Sequence, residues 1–261
     1  MLRGSYHNGF APRDGMPLYP SLWRGCVGAW APCLGPTGTT LRDWSAYKNH
    51  GTLTNFTIDA AWDLKGSGYS IKFDGVNDYI ALPAISASTW TFSCWLWLRV
   101  ITGTGFDRLF AQTNFQCEVG IDTSGMVNVY DGTAWRTFSG VVSTGVWTQV
   151  TCTFNGSQVA SWLNGIANGS AISGGRAMSG TSFFGVAYTF LAQDQLDGNM
   201  DDIRIYNRVL SQNEITTLAR RRGIAYDLAP MPMPYSQQAA TFQPAWALRQ
   251  KQILGGGGGL G

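Results

Sequence analysis

Charge is scarce in this 261-residue chain. Only 13% of its residues are Asp, Glu, Lys or Arg, about half the ~25% of an ordinary soluble domain. Two are glutamates, Glu118 and Glu214, and the chain has two histidines, His7 and His50. A sequence so poor in Glu and Lys, yet 13% aromatic and carrying 33 glycines, argues against a mainly helical protein and reads as strands joined by turns. No apolar run approaches the ~20 residues that cross a bilayer as a helix, so no membrane insertion is expected. The first 24 residues are polar and rich in Gly and Pro, unlike a secretory leader. The chain is therefore expected to be a mature fragment or to be made without that export route. The five cysteines include no CxxC pair, which removes the usual zinc arrangement. Cys26 and Cys33 stay open to pairing in an oxidising setting, although the odd total favours assembly in a reducing compartment.

What charge there is lies unevenly. From Arg204 onward seven basic residues face two acidic ones, a net +5, which leaves −3 for the first 203 residues. Such a segment can meet a polyanion or an acidic protein surface, or simply be a solvated helix end and tail; the second account is preferred, and no nucleic-acid partner is expected.

From about Ser70 a period of two dominates. In Thr89–Val100, Phe92, Cys94, Leu96, Leu98 and Val100 alternate with Thr91, Ser93, Trp95, Trp97 and Arg99, so one face is apolar and the tryptophans on the other require a cover. The Asn155-Gly156 and Asn164-Gly165 pairs are hairpin signals, because both turn positions favour φ > 0. They predict three antiparallel strands at 146–154, 158–163 and 166–172, with Cys152 facing the core as a small hydrophobe. Further strands are expected at 26–32, 108–112, 117–121, 126–130, 182–188 and 200–206. Short, evenly spaced strands of this kind predict an all-β antiparallel sandwich, or jelly roll. One short helix follows: Ser211 to Glu214 fits a capping box, Ile215 and Leu218 share a face, Arg220–Arg222 fall in its last turn, and Gly223 lies just beyond. The expected organisation is an arm over 1–24, a domain over 25–223, and an extended tail over 224–261 whose Pro, Gln and Gly content specifies no fold.

Three stretches carry a family likeness: IKFDGVNDYI (71–80), VASWLNGIANGS (159–170) and LDGNMDDIRIYNRVLSQNEI (196–215). Together they resemble laminin-G-like, concanavalin A-like lectin/glucanase jelly rolls over roughly residues 26–218. The fold includes catalytic and non-catalytic members, so it does not decide function. Glucanases of this superfamily place two carboxylates closely on one strand, flanking the scissile bond. Here Glu118 stands in CEVGID without such a partner and Glu214 belongs to the helix cap, so no enzyme is expected.

The resemblance also implies a structural Ca²⁺, since related domains hold one with aspartates and backbone carbonyls. Asp43, Asp74, Asp78 and Asp201 are the candidate ligands. Strand parity puts Asp201 on the side of Ile203 and Ile205, and Asp78 on that of Ile80; a buried carboxylate must be paired, hydrogen-bonded or metal-bound. The alternative is that Asp74 and Asp78 bond the amides of their own turn. For glycan binding the candidates are Tyr130, Trp135, Tyr188 and Phe190, near strand ends, each of which would serve equally as a packing residue. The segments YHNGFAPR (6–13) and RRRGIAY (220–226) are similar to sequences flanking such domains in phage proteins. They suggest a virion component, a capsid decoration or fibre protein at the virion surface, whose arms attach it to other subunits of an assembly, its own copies or a capsid protein. The competing expectation is a carbohydrate-binding lectin module or adhesin, extracellular or at a cell surface, that recognises surface glycans.

Overall fold

The computed structural model describes residues 17–66, 68–101, 105–186 and 194–228. Along the chain run β1 (Cys26–Trp30), β2 (Thr40–Leu41), β3 (Gly51–Thr54), a single helical turn α1 (Ile58–Ala61), β4 (Trp62–Leu64), β5 (Tyr69–Asp74), β6 (Tyr79–Ala84) and β7 (Trp90–Leu98). They are followed by β8 (Phe106–Gln112), β9 (Glu118–Asp122), β10 (Met126–Tyr130), β11 (Trp135–Val141), β12 (Trp147–Phe154) and β13 (Gln158–Leu163). The last elements are β14 (Ile166–Ala167), β15 (Ile172–Ser173), β16 (Thr181–Phe184), β17 (Asp197–Tyr206) and α2 (Gln212–Leu218). Every strand pairing is antiparallel.

The strands form two facing sheets, a sandwich consistent with the expected jelly roll. One has nine strands in the order β14-β13-β12-β7-β17-β5-β4, with β1 beside β17 and β15 beside β13. The other has eight, in the order β11-β10-β9-β8-β16-β6-β3-β2. Alternation decides which side chains meet between them. Phe92, Cys94 and Leu96 of β7, Cys152 of β12 and Ile71 and Phe73 of β5 point inward against Phe110, Val119, Val129 and Phe184, all fully buried. Phe92 stacks on Phe110 at 5.6 Å between ring centroids, and Trp30 meets Phe184 edge-on at 5.1 Å.

The cover that Trp95 requires is α2. Trp95 donates from Nε1 to the Leu218 carbonyl at 3.3 Å, and Ile215 and Leu218 join Leu22, Trp23, Tyr206 and Ile224 in a second apolar cluster outside the nine-stranded sheet. The capping box forms as read, with Ser211 and Glu214 bonding reciprocally, and Arg208 grips the Glu214 carboxylate through both terminal nitrogens at 2.9 and 2.7 Å.

Four local expectations change. The helix ends at Leu218, so Arg220–Arg222 lie beyond it, and Arg222 instead folds back over the Trp147 ring at 4.2 Å. The strand expected over 166–172 is split into β14 and β15, both beside β13; between them the Asn168 amide still donates to the Ser161 carbonyl at 2.8 Å, and its side chain accepts from the Gly140 amide at 2.6 Å. Of the strand expected over 182–188, β16 ends at Phe184, before Gly185 in a left-handed conformation (φ 84°), and residues 187–188 lie outside the described residues. The packed unit also exceeds 25–223: Leu22 and Trp23 before it, and Ile224 and Ala225 after it, are buried in the second cluster.

Candidate functional site

The outer face of the eight-stranded sheet gathers a polar and aromatic cluster from four adjacent strands. Val119, Ile121, Val127 and Val129 face the core, so the residues between them face outward. Register then sets two rows. Glu118, Tyr130 and Trp135 stand side by side across β9, β10 and β11, and Arg108, Gly120, Asn128 and Thr137 form the neighbouring row across β8 to β11.

The rings pack on one another. Phe106 stacks on Trp135 at 4.3 Å and Tyr130 lies 5.0 Å from Trp135. The Arg108 guanidinium sits over Phe106 at 4.6 Å and over Trp135 at 4.5 Å. Gly120 leaves the cluster room: a Cβ there would stand 3.3 Å from the Asp107 carbonyl, a tight approach, and in ordinary contact with Phe106 Cβ and Arg108 Nη1. Trp135 is held by a stiff β10–β11 turn. Asp131 Oδ1 accepts from the Thr133 and Ala134 amides at 2.9 and 2.8 Å, and Oδ2 accepts from Arg136 Nε at 2.7 Å. Although its burial pulls the other way, these donors hold the Asp131 carboxyl well below the usual range.

Beneath the rings Arg108 meets two carboxylates. Its Nε lies 3.2 Å from Glu118 Oε2 and its Nη2 lies 3.4 Å from Asp194 Oδ2. All three side chains are at least nine-tenths buried. Burial pushes the Glu118 carboxyl up, Arg108 opposes that shift, and Asp194 adds to it. Arg108 Nη1 and Glu118 Oε1 are buried and make no hydrogen bond among the described residues. The second carboxylate beside Glu118 thus comes from 76 positions along the chain, not from its own strand.

Of the four aromatic candidates, Tyr130 and Trp135 are brought together. Tyr188 and Phe190 lie outside the described residues. Sequence reasoning missed Phe106, Arg108 and Asp194; the one usable signal was an arginine in the middle of a strand, where a charge must find a partner.

Asp43 and Asp201 each sit in hydrogen bonds of their own, and Asp74 and Asp78 share a turn. Asp43 accepts from the Ala29 and Ser45 amides, the Ser45 hydroxyl and the Asn49 amide at 2.7–2.8 Å. Asp74 and Asp78 bond within one turn: Asp74 Oδ1 accepts from the Val76 amide at 2.8 Å, and Asp78 Oδ2 from the Asp74 amide at 3.0 Å. Burial, reinforced by Asp74, pushes Asp78 up to about 6. The parity assigned to Asp201 fails at a bulge: Asp202 takes φ 42° and the register shifts between Asp201 and Arg204. Asp201 therefore shares the outer face with its cross-strand partner Trp95 and accepts from the Cys33 amide at 2.9 Å and Arg222 Nη1 at 3.2 Å. Among the described residues no three His, Cys, Asp or Glu side chains converge as metal ligands, all five cysteines are free, and no helix is long and apolar enough to cross a membrane.

Residues 74–216 match the family model described as the concanavalin A-like lectin/glucanases superfamily. The chain belongs to that superfamily. Its fold recurs in domain 4 of AbnA, a GH43 extracellular arabinanase from Geobacillus stearothermophilus, solved with arabinotriose: 19% identity, TM-score 0.58, covering 75% of this chain and 98% of that one. The binding domain of Paraclostridial Mosquitocidal Protein 1 is similar at 17% identity and TM-score 0.58, over 76% of this chain and 52% of the other. Trypanosoma rangeli sialidase in complex with sialic acid matches at 14% identity and TM-score 0.57, over 75% of this chain and 33% of the sialidase. At these identities the lectin/glucanase likeness is one of fold, a carbohydrate-binding type of sandwich. No curated protein matches the chain in sequence.

Proposed function

We propose that this lectin-type domain is a non-catalytic module that binds a neutral glycan on the outer face of its eight-stranded sheet. The observation that carries this reading is the cluster of Phe106, Tyr130 and Trp135, each half-buried, above the Arg108–Glu118 pair. Aromatic faces take the C–H side of a sugar ring, while its hydroxyls both donate and accept. Arg108 Nη1 and Glu118 Oε1 are buried beneath the rings without a hydrogen bond among the described residues, a donor and an acceptor that a sugar hydroxyl reaches only where the rings part. With two carboxylates against one guanidinium, the cluster favours neutral hydroxyls over an anionic group. Both carboxylates are engaged by Arg108, which leaves neither poised against a scissile bond.

The test is calorimetric titration with neutral oligosaccharides, starting with arabinotriose, the ligand of the Geobacillus domain. Trp135→Ala and Tyr130→Ala are expected to weaken binding at least tenfold with the circular dichroism spectrum unchanged. Undiminished binding by both variants would overturn the assignment.

A second reading concerns attachment. Pro17 and Leu228 form an isolated antiparallel bridge, so the chain enters and leaves the domain at one place. That favours a domain displayed on its terminal segments, as expected of a virion-surface decoration or fibre protein. Light scattering on the full chain and on residues 17–228 tests it: a defined oligomer that becomes monomeric on truncation supports attachment through the ends, and two monomers refute self-assembly.

A further inference from the structure

The opposite face of the sandwich carries a different set of groups. Outside the nine-stranded sheet lies a cleft of about 300 Å³, at the small end of the range for ligand pockets and large enough for one or two sugar rings. Its floor is a row fixed by register: Lys72 on β5 stands opposite Asn199 on β17, which stands opposite Trp97 on β7. Lys65, Arg99, Asp63 and Asp197 complete the walls.

Its charge balance is opposite in sign to that of the Arg108 cluster. Three cations face two carboxylates, and both carboxylates are occupied. Asp197 Oδ1 takes Arg99 Nε at 2.6 Å. Asp63 Oδ2 accepts from Asn199 Nδ2 at 2.9 Å and lies 3.6 Å from Lys65 Nζ. Lys72 is exposed and makes no ion pair among the described residues. Lys65 Nζ rests 3.5 Å from the centroid of the half-buried Trp97 ring, a cation–π contact of modest strength at an exposed site. A stronger anionic partner would draw that ammonium away and uncover the ring. A cleft that combines a surplus cation, a displaceable lysine and an indole suits a ring-shaped ligand carrying a negative charge.

We propose that this cleft is a second saccharide site, specific for an acidic sugar whose anionic group is held by Lys72 and Lys65 and whose ring rests on Trp97. Asn199 Nδ2 is spent on Asp63 and Ser70, so it is Asn199 Oδ1 and Asp63 Oδ1 that stand beside it to accept from the hydroxyls. This site does not depend on the neutral-glycan reading, since it shares no residue with the Arg108 cluster and lies on the other sheet.

The test uses the full chain and three disaccharide probes: one containing glucuronic acid, its neutral glucose counterpart, and the glucose counterpart bearing one sulfate. Calorimetry is expected to show binding of the glucuronate probe and at least tenfold weaker binding of the neutral one. Lys72→Glu is expected to lower glucuronate affinity at least tenfold with the melting temperature retained. The tryptophan fluorescence change on binding should disappear in Trp97→Phe. Trp135→Ala should leave all of this unchanged, which separates this site from the other. Equal binding of the sulfated probe extends the site to acidic sugars in general, and rejection of it restricts the site to carboxylates. Equal affinity for the neutral probe, no binding of either acidic probe, or indifference to Lys72→Glu would each overturn the proposal.

Discussion

Arg204 is fully buried between Trp23 and Tyr226, its guanidinium 4.8 and 4.7 Å from the two ring centroids. One side chain of β17 thereby ties the segment that enters the domain to the segment that leaves it. Its Nε is paired with Asp202 Oδ1 at 2.9 Å, and the Leu18 amide donates to the Asp227 carbonyl at 2.7 Å nearby. The bulge at Asp202 creates this arrangement, because it turns Arg204 to the outer face while Ile203 and Ile205 remain in the core.

Arg204→Met should therefore do more than remove a charge. It leaves the Asp202 carboxylate buried without its cation, a loss of about 3–5 kcal/mol when a buried pair is broken on one side. Urea unfolding should show that cost. Replacing Asp202 as well, by Asn, should recover part of it.

The helix cap gives a smaller effect of known sign. Ser211→Ala removes one half of the reciprocal cap and should cost about 1 kcal/mol, read by the same unfolding measurement. The core gives a larger one: Phe184→Ala empties the meeting point of Trp30, Phe92 and Phe110 and should cost about 3–5 kcal/mol.

Glu214 predicts an acid-side pH dependence. Burial alone would raise its carboxyl, but the bonds from Arg208 and Ser211 outweigh that and bring it down to about 2 from an ordinary 4.5. A depressed folded-state value means that the stabilisation is complete above about 4.5 and is lost as the pH falls toward about 2. The melting temperature of the wild type should drop more steeply over that interval than that of Glu214→Gln, which should be less stable at pH 7.

Asp201 predicts the reverse slope. Burial, with Asp202 adding, raises its carboxyl from 3.8 to about 7. A raised folded-state value favours the protonated form in the fold, so this contribution is present below about 4 and is lost as the pH rises toward about 7. Melting curves of Asp201→Asn should lack that decline.

Gly120→Val tests the geometry of the neutral site. The Cβ would already touch Arg108 Nη1 at 3.5 Å, so the two Cγ methyls beyond it should crowd the guanidinium and shift it from Trp135. The Trp135 contribution to near-ultraviolet circular dichroism is expected to change, and neutral-glycan affinity to fall.

Much of the frame was legible in the residues. Alternation in 89–100 and 145–154 assigned the core faces of β7 and β12, since side chains on one face of a strand repeat every two residues, but Val100 and Val146, read onto those faces, lie outside the strands and are exposed. The Ser211–Glu214 cap was readable because its bonds span three positions. Tyr130 and Trp135 were legible as two of four aromatics near strand ends, and only the pairing of β10 with β11 put them side by side. Parity misplaced Asp201 for a simple reason: one inserted residue at a bulge reverses every assignment beyond it.

The local sequence determined the long central strands, which of their faces are apolar, and where α2 begins; it left β2, β3, β4 and β11 unread. Only the tertiary structure decided which polar residues meet. Arg108 and Glu118 are ten positions apart but Asp194 is far downstream, and Lys72, Trp97 and Asn199 come from three strands made neighbours by the sheet order. Strand pairing is set by the packing of whole faces against each other, and short-range patterns record a residue's own side of its strand without naming its neighbours across the sheet.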